Sequence, residues 1–175
     1  MRCFIAINIP EKIKSKIGNL LSIFENRGVK KVKPENFHIT LKFLGEINNI
    51  EEIDKLLREI NYKKFKVCFG DMGIFPNFNF IRVVWIGIES GKKEITELQN
   101  MIENKLVGFK KEKNYEPHLT IFRVKYLTDK NKFIEQIRNI KLTDCFIVES
   151  FDLMKSDLNK EGPIYTKLKS YYLAD

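Results

Sequence analysis

The sequence contains two histidines, His38 and His118, and each is followed two residues later by a threonine, Thr40 and Thr120. In an extended chain, residues i and i+2 point to one side and their neighbours to the other. Each motif therefore reads as a half-buried strand that shows an imidazole and a hydroxyl on one face, with Ile39 and Leu41, or Leu119 and Ile121, pointing into a core. A single histidine on a strand is commonly a core or surface residue. The chain has six threonines, so one at i+2 after both histidines arises by chance at odds of roughly one in a thousand. The pair is read as one active site.

Two imidazoles titrating near neutrality can take one proton and give another. Two hydroxyls beside them can hold the non-bridging oxygens of a phosphate. The set suits cleavage of a phosphodiester, with one histidine activating water and the other protonating the leaving oxygen.

The elements that position these residues follow from periodicity. Met1 to Asn8 is strand-like and lacks the apolar length of a signal peptide. Pro10 opens a helix to about Glu25, with Ile13, Ile17, Leu20, Leu21 and Phe24 on one face and Gly28 beyond its end. After the first motif, Asn48 or Asn49 caps a second helix carrying Ile53, Leu56, Leu57 and Ile60. Strands over Phe65–Ile74 and Phe80–Ile88 form a hairpin turning at Pro76-Asn77, with Trp85 expected in the core ahead of the alternative of stacking a nucleobase. A third helix, marked by Ile95, Leu98, Met101, Ile102 and Leu106, ends at Gly108. A loop with Lys110, Lys111 and Lys113 then leads to the second motif and is either a solvated surface run or a basic rim for phosphates. A fourth helix from Asp129 to Ile140 precedes strands Cys145–Lys155 and Pro163–Tyr172. The similar order of elements around the two motifs suggests an internal duplication, each half supplying one motif strand.

Length and composition set the outer bounds. The 175 residues, 43% of them hydrophobic, fit one compact domain or two small, intimately packed lobes, and no Gly/Ser/Pro-rich linker divides them. The net charge of +8 suits a polyanionic partner, although a lysine-rich surface also accompanies a hot habitat. The fifteen asparagines argue against the habitat. Cys3, Cys68 and Cys145 are odd in number, far apart and in apolar runs, which predicts reduced core thiols in a cytosolic protein. With two histidines and no close cysteine pair, no metal site is expected. No apolar run reaches the length of a membrane span.

The chain resembles the two-histidine phosphoesterases, and within them the RNA 2′,3′-cyclic phosphodiesterases, also called 2′-5′ RNA ligases. The resemblance is carried by residues 2–7, by Val32 to Glu46 and by Pro117 to Lys125, with support from Gly73-Ile74-Phe75-Pro76, Val84 to Gly87 and Ser156 to Tyr165. One departure is that the family often has an aromatic residue just before the first motif, where this chain reads Lys30-Lys31-Val32.

The resemblance implies an α+β fold of two pseudo-symmetric lobes, each a mostly antiparallel sheet backed by helices, with the active-site cleft between them and both chain ends in one lobe. It implies cleavage of RNA 2′,3′-cyclic phosphate ends to a 2′-phosphate without metal, ATP or other cofactor, and 2′-5′ ligation in reverse. His38 matches the proton donor and His118 the proton acceptor, Thr40 and Thr120 hold the phosphate, and Arg123 matches a phosphate-binding arginine. An offset of five from His118 puts Arg123 on the wrong strand face unless the strand ends or bulges. Lys42 shares the His38 face by parity and is a candidate for substrate binding or a solvent-facing position, and Phe43 is expected in the core. A cytoplasmic monomer is expected, acting on RNA or a nucleotide with a terminal 2′,3′-cyclic phosphate. The alternatives are another two-histidine activity, on ADP-ribose cyclic phosphate or in RNA-end trimming, and a non-catalytic RNA-binding module.

Overall fold

Alternation of apolar and polar residues makes most of this chain extended. The computed structural model describes residues 1–175, with β1 (Arg2–Asn8), α1 (Glu11–Ser22), β2 (Val29–Lys31), β3 (His38–Glu46), α2 (Ile50–Arg58), β4 (Phe65–Asn77) and β5 (Phe80–Ser90). α3 (Lys92–Lys105), β6 (His118–Val124), α4 (Lys130–Arg138), β7 (Cys145–Val148), β8 (Ser150–Asn159) and β9 (Gly162–Tyr172) complete it. The sheet runs β7-β4-β5-β6-β3-β1-β8-β9, with β2 paired to β6. All these pairings are antiparallel. The fold is the expected α+β class.

Two half-sheets, β9-β8-β1-β3 and β6-β5-β4-β7, meet where the motif strands touch at the register pair Ile39 and Leu119. The seam is narrow, since beyond it β6 pairs with β2, through Lys31 and Phe122 to Val29 and Val124. The two chain ends do share a half. One hydrophobic core of 39 residues crosses the seam, from Ile5 and Ile39 to Leu119 and Phe133.

The internal duplication is measurable. His38 and His118 are eighty residues apart, as are the helix caps Asn49 and Asp129. Asn49 Oδ1 accepts from the Glu52 amide at 3.2 Å, and Asp129 Oδ1 from the Lys132 amide at 3.0 Å. Each side chain satisfies a backbone donor that the first helical turn leaves open. α2 then buries Ile53 and Leu57, and α4 buries Phe133 and Ile137, on the inward stripe.

Three expectations shift. The hairpin turns at Phe78-Asn79, because Asn77 Oδ1 accepts from the amides of Asn79 at 3.0 Å and Phe80 at 3.1 Å. Pro76 stays inside β4 opposite Ile81, on a stretch that β7 does not reach, so its missing N–H leaves no ladder bond broken. The run Cys145–Lys155 is two strands, since β7 pairs with β4 in one half while β8 crosses at Glu149 to pair with β1 in the other. Cys68 and Cys145 are a directly opposed pair on β4 and β7, with Cα atoms 4.0 Å apart, and form a disulfide. The expectation of reduced thiols is thus corrected for both, and only Cys3 is a free, buried thiol. No helix is long and apolar enough to cross a membrane.

Candidate active site

The motif strands are not regular, and the irregularity builds the site. Opposite β1, the pairing of β3 slips between Thr40 and Lys42, so that Leu41 and Lys42 both turn inward. Opposite β5, β6 slips between Thr120 and Phe122, so that Ile121 and Phe122 both turn inward. An extra residue of this kind reverses the alternation beyond it. Phe43 and Arg123, each five residues after a motif histidine, return to the histidine face, and both line the cleft.

Arg123 thereby joins the site through the bulge its offset required. Lys42 does not. Its side chain has 0% exposure, and Nζ donates to Glu103 Oε2 and to the Lys110 carbonyl, each at 2.8 Å. The role of Lys42 in substrate binding is corrected to that of a buried ion pair tying β3 to α3. Phe43 is 56% exposed, not in the core.

His38 and His118 sit at the starts of their strands, His38 just after a 3₁₀ turn over Pro34–Asn36. His38 Nδ1 donates to the Asn36 carbonyl at 2.7 Å, and His118 Nδ1 donates to the Glu116 carbonyl at 2.7 Å. A carbonyl only accepts, so Nδ1 carries the proton in each ring and Nε2 is left for chemistry. Thr40 Oγ1 lies 3.0 Å from His38 Nε2 and donates to it while the ring is neutral. Tyr115 Oη in turn donates to the Thr40 carbonyl at 2.8 Å, fixing that strand from the approach to the second motif.

Both imidazoles bind protons less readily than usual. Burial pushes His38 down to about 4, against the opposing pull of the Asn36 carbonyl, and the charge of Arg123 lowers it further. Burial also lowers His118, partly offset by the carbonyl and carboxylate of Glu116. Removing a ring from water disfavours its charged form, and a neighbouring cation adds to that.

Aromatic side chains flank each ring. Phe4 and Tyr165 lie 5.0 and 5.3 Å from His38 between centroids, and Phe75 and Trp85 lie 5.1 and 5.7 Å from His118. Gly73 stands opposite Trp85 in the register, and a Cβ there would come within 2.2 Å of the indole. Trp85 thus backs His118.

The cleft measures about 350 Å³ and holds His38, Thr40, His118, Thr120 and Arg123 together. Its basic wall comes from Lys30, Lys31 and Lys33, whereas the lysines of the 110–113 loop are not part of it. The tip of the β8–β9 hairpin abuts this wall. Lys30 Nζ donates to the Glu161 carbonyl at 2.5 Å, and Asn36 Nδ2 to the Pro163 carbonyl at 3.0 Å. The contributions of Phe4, Phe75, Tyr165 and the β2 lysines are invisible in the motifs, because they arrive on other strands. The one sequence signal is the lysine cluster just before the first motif.

The profile of the 2′-5′ RNA ligase superfamily matches residues 12–160. The chain is 41% identical to the RNA 2′,3′-cyclic phosphodiesterase of Methanocaldococcus jannaschii, over 98% of this chain and 100% of that one. It is 37% identical to the enzyme of that name from Archaeoglobus fulgidus, over 98% and 99%. The fold superimposes on Escherichia coli LigT in complex with 3′-AMP with a TM-score of 0.80 and 25% identity, covering 99% of this chain and 98% of that one. A duplicated strand pair with matched histidines, a match along most of the length and the same fold lead to one conclusion: this chain belongs to the 2′-5′ RNA ligase superfamily of two-histidine phosphoesterases.

Proposed function

We propose that this protein hydrolyses RNA 2′,3′-cyclic phosphate ends to 2′-phosphates, without metal or ATP, and that residues 1–175 act as a single bilobal, monomeric, cytoplasmic unit. The observation that carries the chemistry is the matched pair of histidines in one cleft, each with Nδ1 fixed on a carbonyl. The cyclic phosphate sits between them. The hydroxyls of Thr40 and Thr120 and the guanidinium of Arg123 hold its non-bridging oxygens, where the charge-assisted donor fork is strongest.

His118 Nε2 takes a proton from water as the oxygen attacks phosphorus. The bond to the 3′ oxygen breaks opposite, and His38 Nε2 protonates that oxygen, leaving a 2′-phosphate. His38 must therefore carry a proton when substrate is bound. The negative phosphate supplies the reason, since an anion beside a buried imidazole favours the charged ring. Binding is accordingly coupled to proton uptake near neutral pH.

The test is incubation with EDTA and no ATP, on an RNA ending in a 2′,3′-cyclic phosphate, with 2′- and 3′-phosphate products resolved. The expected product is the 2′-phosphate, abolished in His38→Ala and in His118→Ala. Turnover only of ADP-ribose cyclic phosphate would move the assignment to that class. RNA binding without turnover of any cyclic phosphate would make the protein a binding module.

A further inference from the structure

The sheet face that carries His118 runs on along β5 and β6 past the cleft. Outward from the histidine, the register sets Gly87 beside His118, Trp85 beside Thr120 and Val83 beside Arg123. Lys30 of β2 and Phe75 of β4 complete this last row, and all four of its members line the cleft. Beyond the row, β5 holds one residue more than β4, since Phe75 pairs with Val83 but Pro76 with Ile81. The extra residue, Arg82, resets the alternation. Ile81 is buried, so Arg82 and Phe80 on either side of it point away from the core, on the face that Val83 shows to the cleft.

Phe80 is 55% exposed, yet it is held. The Arg82 guanidinium lies over its ring, 4.2 Å from the centroid, and donates to the Lys125 carbonyl at 2.8 Å. The Phe80 amide donates to Asn77 Oδ1 at 3.1 Å. A ring fixed in this way has given up much of its freedom before a partner arrives. Charge follows the same line. Lys30, Arg82, Arg123 and Lys125 pair with no carboxylate, whereas Lys33 lies 3.6 Å from Glu161 and Lys92 2.6 Å from Glu116.

We propose that Phe80 and Arg82 form a stacking platform for one base of the RNA strand that leaves the cleft on the 5′ side of the cyclic phosphate. The inference rests on the function proposed above and deepens it, adding a site for the body of the RNA to the one for its end. Val83 and Phe80 are three residues apart, about 10 Å along an extended strand, so a base on Phe80 belongs to a nucleotide upstream of the terminal one. Every base has a flat face, so the platform accepts any sequence, and the cations along β2, β5 and β6 attract the phosphates in between. An exposed ring alone selects no partner. The row of carboxylate-free cations running from it to the reacting phosphate selects a polyanionic strand.

The test compares adenosine 2′,3′-cyclic phosphate with an RNA hexanucleotide ending in the same group, on wild type, Phe80→Ala and Phe80→Trp. Binding of a fluorescein-labelled hexanucleotide ending in a 2′-phosphate is followed in parallel by anisotropy. Phe80→Ala is expected to raise KM for the hexanucleotide and to weaken its binding about tenfold, with kcat and mononucleotide turnover unchanged, and Phe80→Trp to retain the wild-type values. An abasic site at one upstream nucleotide should reproduce the loss in wild type and add nothing to it in Phe80→Ala. Equal effects of Phe80→Ala on mononucleotide and hexanucleotide, or no effect on either, would overturn the proposal. So would a changed oligomeric state of Phe80→Ala with RNA affinity intact, which would assign the ring to a second copy of the chain. A wild type inactive on both substrates would remove the hydrolase reading alone, since the anisotropy of wild type and Phe80→Ala still decides the platform.

Discussion

Burial holds His38 down at about 4, and the Arg123 guanidinium adds to the effect. The ring would titrate near 6.5 in the unfolded chain. Between those values the unfolded chain binds a proton that the folded chain refuses, so the stability linked to this ring is complete above about pH 6.5 and is lost as pH falls through 4. Chemical denaturation across this range should show a decline that is shallower in His38→Asn. An unchanged slope would mean that the ring is solvated. Lys42 gives the second prediction at this scale. Lys42→Met leaves the Glu103 carboxylate buried without its cation, at a cost of about 3–5 kcal/mol. Lys42→Met with Glu103→Leu should recover most of the loss, because the charge is then gone from both sides, and urea midpoints of the two variants decide it. The histidines and threonines that line the cleft were legible from type and spacing, whereas Arg123 came from the family resemblance against strand parity. Lys42 and Phe43 were misread, because strand parity holds only while the ladder is regular.

At the level of elements, the strand bulges and the packing behind each histidine shape the site more than any single contact. The slips in β3 and β6 fall at equivalent places, and each brings a fifth residue to the histidine face, aromatic on one strand and cationic on the other. Behind β6, the indole of Trp85 occupies the space that Gly73 leaves open. Gly73→Ala should destabilise the protein by about 1–3 kcal/mol through overpacking and lower turnover by displacing His118. Adding Trp85→Phe should restore both, measured by thermal unfolding and single-turnover hydrolysis. Helix positions and caps were readable because Asn49 and Asp129 precede apolar stripes. The disulfide was not, since Cys68 and Cys145 are 77 residues apart and meet only when β7 docks on β4.

Across the whole molecule the net charge is +8, yet the cleft draws its lysine wall from one short stretch, Lys30, Lys31 and Lys33, in and just after β2. If single-stranded RNA is held there, the slope of log affinity against log salt should fall by about 0.7 on Lys31→Gln. Lys113→Gln, on the loop outside the cleft, should leave the slope unchanged, and filter binding at several salt concentrations separates the two. Local information in the sequence determined the motif strands, the helices, the placing of each histidine and its threonine on one strand face and the α+β class, because hydrophobic period, caps and side-chain type act over a few residues. Only the tertiary structure decided which half each strand joins, where the ladders slip, and that Phe4, Phe75, Tyr165 and Trp85 enclose the imidazoles. Those features depend on strands far apart in the chain meeting across the sheet, and neither register nor long-range pairing is written in any single stretch of residues.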